Sequence, residues 1–151
     1  MRKSIVRASI VGLAMLSALL FSGCTEDQVV AIARQAGTVA AIGWIQADSP
    51  SAEQKTVAAQ VVALIKTNTT NIATGTTYYA SLTPIVNAYI DGNVAAKDRA
   101  ITRLASSAVL TGVDTLFALY PQYKADSSVA LRVMSSFCDG AQIGMAMSSD
   151  S

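Results

Sequence analysis

From Glu26 onward, apolar residues recur at steps of three and four, separated by short polar breaks. That period belongs to amphipathic helices. The first predicted helix covers Glu26–Ala47. Thr25-Glu26-Asp27-Gln28 reads as a capping box with Thr25 as N-cap, and Glu26 and Asp27 suit the positive end of a helix. Val29, Ile32, Ala36, Val39 and Gly43 form one stripe, and Val30, Gly37, Ala41 and Trp44 a second; Ile42 and Ile45 then close the apolar circle. A helix apolar on all sides is a central core helix or an interface, and the central position is expected here. Ser49 is the expected N-cap and Pro50 the first residue of a second helix, which runs to about Thr67 with Val57, Val61, Leu64, Ile65 and Asn68 along one face. Thr67–Thr77 holds six threonines, two asparagines and Gly75, and reads as a loop or frayed helix end.

Tyr78–Asp91 returns to an apolar pattern, with Pro84 either starting a short helix or kinking a longer one. Gly92 fits the residue after a helix end and Asn93 a new N-cap. Val94–Tyr120 is the clearest helical stretch. Its expected buried stripe is Ile101, Leu104, Ala108, Gly112, Leu116 and Leu119, with Asp98, Thr102, Ser106 and Asp114 on the opposite side and Pro121 as the stop. A last helix over Ser128–Met145 is capped by Asp126 or Ser127 and weakened by Gly140 and Gly144. Ser148–Ser151 reads as a frayed tail. No alternating run of period two is bounded by turns, so the predicted fold is all-α. It is a single bundle of four to five mostly antiparallel helices, with many Ala and Gly positions for close helix approach.

The segment before Glu26 changes the picture. Met1–Arg7 carries Arg2, Lys3 and Arg7, and Ala8–Gly23 is 16 residues without charge. As a helix that run is about 24 Å long, against the roughly 20 residues a spanning helix needs. Basic start and short apolar run are the layout of a cleaved export signal over residues 1–23. The run ends Leu20-Phe21-Ser22-Gly23-Cys24. Ser22, Gly23 and Cys24 resemble the lipobox of bacterial lipoproteins, although Phe21 stands where Leu is usual. The resemblance implies that Cys24 is the lipid-attachment residue, bearing palmitate-type acyl chains, and the new N-terminus. Two or more acyl chains hold a protein firmly on a bilayer. Residues 24–147 are then a helical domain tethered at Cys24 on the non-cytoplasmic side of a membrane. Thr25, not Asp, follows the cysteine, and by the same resemblance the outer membrane, facing the periplasm, is favoured in a host with two membranes.

Charge and composition narrow the function classes. From Cys24 onward eight basic residues face ten acidic ones, a balance of −2, which gives no broad attraction for nucleic acid. The uncharged stretch Thr67–Ile90 is too rich in Thr and Asn, and interrupted by Pro84, to span a membrane. The chain has no histidine, so the commonest general base and metal ligand is absent. No phosphate-binding loop, nucleophile elbow or zinc spacing occurs. Asp91-Gly92-Asn93 has the start of a calcium loop but no later ligands. Lys97, Arg99 and Arg103 read as a solvated ridge, and Cys138 as a buried, inert thiol. No catalytic, cofactor-binding or metal-binding residues are therefore expected. Trp44, Tyr78 and Tyr79 are the candidates for contact with a protein partner, weighed against ordinary core packing. The reading is a non-enzymatic, membrane-tethered structural or protein-interaction module of the cell envelope, suited to envelope assembly or to phage or plasmid exclusion. The alternative is a helical carrier that holds an apolar ligand at the membrane surface in a cavity of a few hundred cubic ångströms.

Overall fold

The computed structural model describes residues 23–69 and 77–147. The expected export signal at 1–23, Gly23 apart, the centre of the Thr-rich stretch at 70–76 and the tail at 148–151 lie outside the described residues. The elements are α1 (Glu26–Asp48), α2 (Ala52–Thr67), α3 (Tyr78–Asn93), a 3₁₀ turn (Ala96–Asp98), α4 (Arg99–Leu119), the short α5 (Pro121–Ala125) and α6 (Ser127–Met147). The fold is an all-α bundle, with no strand among the described residues. No described helix is long and apolar enough to cross a membrane.

The helix starts follow local chemistry. Thr25 and Gln28 form the reciprocal capping box at α1. At α2 the box is Ser51 with Gln54. Ser49 is not the N-cap; it closes α1 in the left-handed conformation at φ 48°, its N–H returning to Ile45 O at 2.9 Å. Pro50 lies between the two helices and is buried. α3 runs unbroken through Pro84 and starts at Thr77, whose hydroxyl accepts the Ala80 N–H.

Chain direction is mostly antiparallel. Tyr78 meets Asp114 while Asp91 meets Arg103, so α3 and α4 run opposite ways. Lys66 meets Asp139 and Ala59 meets Gln142, so α2 opposes α6. The most intimate pair, α1 with α6, departs from this. Arg132 bridges Glu26 and Asp27, the Ser136 hydroxyl donates to Val30 O at 2.9 Å, and the Thr38 hydroxyl donates to Gly140 O at 2.9 Å. Both sequence numbers rise together, so the first and last helices lie side by side in parallel.

Glycine sets this seam. A Cβ at Gly37 would fall 1.9 Å from Phe137 O, one at Gly140 1.8 Å from Arg34 O, and one at Gly144 2.7 Å from Thr38 O. Backbone meets backbone here, as in small-residue helix crossings generally. Gly140 and Gly144, which weaken the last helix by propensity, are what admit α1. Elsewhere Gly112 leaves room for the Phe137 ring, with the Cζ 2.6 Å from where a Cβ would stand.

Two expected core faces are corrected. α6, not α1, is the central helix: Met134, Phe137, Cys138 and Ala141 are each at most 1% exposed, while Val39 on α1 is 42% exposed. The buried row of α1 is Val29, Ala33, Gly37, Ala41 and Trp44, with the small residues at its middle where α6 comes closest. On α4 the phase is shifted: Thr102, Ala105, Ser106, Val109, Val113 and Leu116 face inward and Leu104 is 46% exposed. Thr102 and Ser106 are tolerated inside because their hydroxyls donate to backbone carbonyls of their own helix region, Asp98 O and Arg103 O.

Candidate functional site

The first helix begins two residues after Cys24, so the cysteine is part of the bundle's end and not of a separate leash. Cys24 is 9% exposed. Its thiol lies against the Tyr120 hydroxyl, and its carbonyl accepts a hydrogen bond of 2.5 Å from the Tyr123 hydroxyl. The two tyrosine rings stand 6.4 Å apart, tilted at 46°. Tyr120 ends α4 and Tyr123 sits in α5, so the turn made by Pro121 folds both rings back onto the cysteine. Burial, with the neighbouring Cys24 thiol next in weight, raises the Tyr120 phenol above its ordinary 10.0. The phenol therefore stays a neutral donor beside the sulfur.

The same end holds the start of α3. Tyr78 stacks on Phe117 with centroids 5.1 Å apart, and the Lys124 ammonium lies 5.8 Å over the Tyr78 ring. Burial first, and then the Asp114 charge, raise the Tyr78 phenol. Asp114 reaches across from α4 and accepts the Tyr78 N–H at 2.7 Å and the Tyr79 N–H at 2.9 Å. With Thr77 accepting the Ala80 N–H, three backbone donors at the helix start are satisfied by side chains. The sequence reading placed Asp114 on a polar face and missed this role. The available signal was that α3 has no acidic residue in its own first turn, so a carboxylate at its positive end had to come from elsewhere. Removing the carboxylate in Asp114→Ala leaves two N–H groups without an acceptor. The expected loss is about 2 kcal/mol, read as a lower denaturant midpoint at unchanged slope.

The aromatic candidates separate. Trp44 and Tyr78 are each 5% exposed and belong to the core, whereas Tyr79 is 42% exposed. Trp44 lies on the inward row of α1 and its indole N–H makes no hydrogen bond within the protein. Of the three, only Tyr79 offers surface to a partner. It borders an open groove of about 440 Å³ with Thr77, Thr111, Asp114, Thr115 and Ala118.

The charged residues at the far end are occupied with structure. Arg99 donates to Val94 O at 2.9 Å and Asp91 O at 2.8 Å, closing the end of α3, while Arg103 pairs with the Asp91 carboxylate. Lys97 lies 3.8 Å from Glu53. Asp98, 4% exposed, accepts the Gln54 amide at 2.8 Å and so joins the start of α2 to the start of α4. Among the described residues no three His, Cys, Asp or Glu side chains come together as a metal ion would need. Cys24 and Cys138 are both reduced. Cys138 is fully buried, and burial, aided by the Asp139 charge, pushes its thiol up to about 12; a thiol held protonated is a poor nucleophile. No protein-family model matches the chain, and neither does any curated protein or solved structure.

Proposed function

We propose that this chain is an exported envelope lipoprotein, anchored through Cys24, whose helical domain acts by binding a protein partner at a membrane surface. The observation that carries the reading is the order basic start, uncharged apolar run, small residues, Cys24, and then the Thr25 cap of the first helix. With the cap directly after the cysteine, a lipid there would bring the Tyr120–Tyr123 end of the bundle to the headgroups and hold it there. A protein-binding rather than catalytic role is supported by how these carboxylates are used: Glu26 and Asp27 pair with Arg132, Asp98 accepts the Gln54 amide and Asp114 caps α3. By the lipobox resemblance the domain faces away from the cytoplasm, on the outer membrane where the host has two.

Feeding cells a fatty-acid analogue tests the anchor. Label should enter the wild-type chain, vanish in Cys24→Ala, and follow the protein into the membrane fraction. Unlabelled wild-type protein in the soluble fraction would refute it.

A further inference from the structure

We propose that the bundle stands upright on the bilayer, with Tyr79 seated in the phospholipid headgroup layer as a second point of attachment beside the lipid at Cys24. The inference rests on the lipid-anchored reading above, which fixes one point and leaves the tilt of the domain open. A second contact sets the tilt.

Both points lie at one end of the molecule. Cys24 precedes the start of α1, and its carbonyl accepts the Tyr123 hydroxyl. Lys124, the next residue, lies over the Tyr78 ring, and Tyr79 follows in the first turn of α3. Four of the five tyrosines, Tyr78, Tyr79, Tyr120 and Tyr123, thus gather at the end that the uncharged run Ala8–Gly23 joins in the sequence. Tyr78 and Tyr120 belong to the core, whereas Tyr79, at 42%, is the most exposed aromatic side chain among the described residues.

The surroundings of Tyr79 suit a bilayer surface. Thr77, Thr111, Thr115 and Ala118 border it without charge, and the Asp114 carboxylate beside them is occupied by the Tyr78 and Tyr79 N–H groups. A ring with a polar tip on an uncharged rim is what collects at the interface of lipid and water. The charges nearer Cys24 are engaged as well: Glu26 and Asp27 with Arg132, and Asp126 with the Ser128 and Val129 N–H groups. The opposite end is the charged one, with the Glu53–Lys97 and Asp91–Arg103 pairs, Asp98 and Arg99. A bundle resting on Tyr79 keeps these groups in water and presents them away from the bilayer.

Tryptophan emission reads the pose, since Trp44 is the chain's one tryptophan. It stands about 30 Å along α1 from Cys24, at ~1.5 Å per residue. Full-length lipid-bearing protein, scored for fatty-acid label, is placed in phosphatidylcholine vesicles with plain or brominated acyl chains, which quench an indole only at close range. Wild-type emission should be the same in both. Tyr79→Trp should lose at least about 1.3-fold in brominated vesicles, as a ring at interfacial depth would. Leu104→Trp tests a similarly exposed position about 24 Å along α4 from Tyr120 and should lose nothing. Labelled Tyr79→Trp protein that brominated lipid leaves unquenched, or Leu104→Trp quenched to the same degree, overturns the pose alone. Wild-type protein without label overturns the anchor and the pose with it.

Discussion

Gly140→Ala is expected to cost about 3 kcal/mol of folding stability, at the upper end of what overpacking a core costs. The added methyl would stand 1.8 Å from Arg34 O. That oxygen is backbone, so no rotamer change relieves the clash and the α1 and α6 axes must separate. Separation also stretches the Thr38 bond to Gly140 O and the Ser136 bond to Val30 O, both across the same seam. The control has the opposite sign. Gly92 lies in α3 with nothing within 4 Å of a Cβ and no positive φ, so Gly92→Ala should gain roughly 0.5–1 kcal/mol from helix propensity and lost chain entropy. Urea melts of the two variants beside wild type give both signs; a Gly140→Ala protein as stable as wild type would mean that the helices do not touch along this row.

The second large effect appears at alkaline pH. The Cys138 thiol ionises near 9.0 when the chain is unfolded and near 12 when folded. Between those values the unfolded chain releases a proton that the folded chain keeps. The unfolded state thus binds fewer protons, and stability falls as pH rises, by up to about 1.4 kcal/mol per pH and about 4 kcal/mol in all. Below pH 9 the contribution is intact. Tyr78 and Tyr120, raised by burial, act in the same direction. Cys138→Ala isolates the sulfur: it should be less stable than wild type at pH 8, from the lost packing, yet decline less steeply above pH 9. Parallel curves from pH 8 to 11 would place the thiol in contact with water.

Much of the fold is legible in the sequence because caps and breakers are local. Thr25 with Gln28, the stop at Pro121 and the helical period around them need no distant partner, and α1, α6 and the end of α4 follow them to within two residues. The expected break at Gly92 and start at Val94 are corrected: Gly92 and Asn93 belong to α3, and α4 starts at Arg99 after the 3₁₀ turn. The second helix start was misread because Ser49 and Ser51 are equally good caps and Pro50 pointed to the first; Gln54, three residues after Ser51, was the deciding signal. The buried faces were harder. On α1 and α4 the apolar residues outnumber the positions a partner can cover, so hydrophobicity alone does not set the phase. Steric fit does, and it selects Gly37 over Val39 and admits Thr102 over Leu104. Of the candidate site, Cys24 stands out in the sequence, but the rings that close on it come from residues about a hundred positions later, and no local pattern links them.

Pairing the first helix with the last also governs timing. The bond from Ser136 to Val30 spans 106 residues. Loops of that length close late and slowly. A chain made or threaded from its N-terminus has α1 long before α6, and until the final two dozen residues arrive the row of small side chains on α1 has nothing to pack against. The seam between the first and last helices therefore forms only once α6 has been made, whatever the rest of the bundle has done by then.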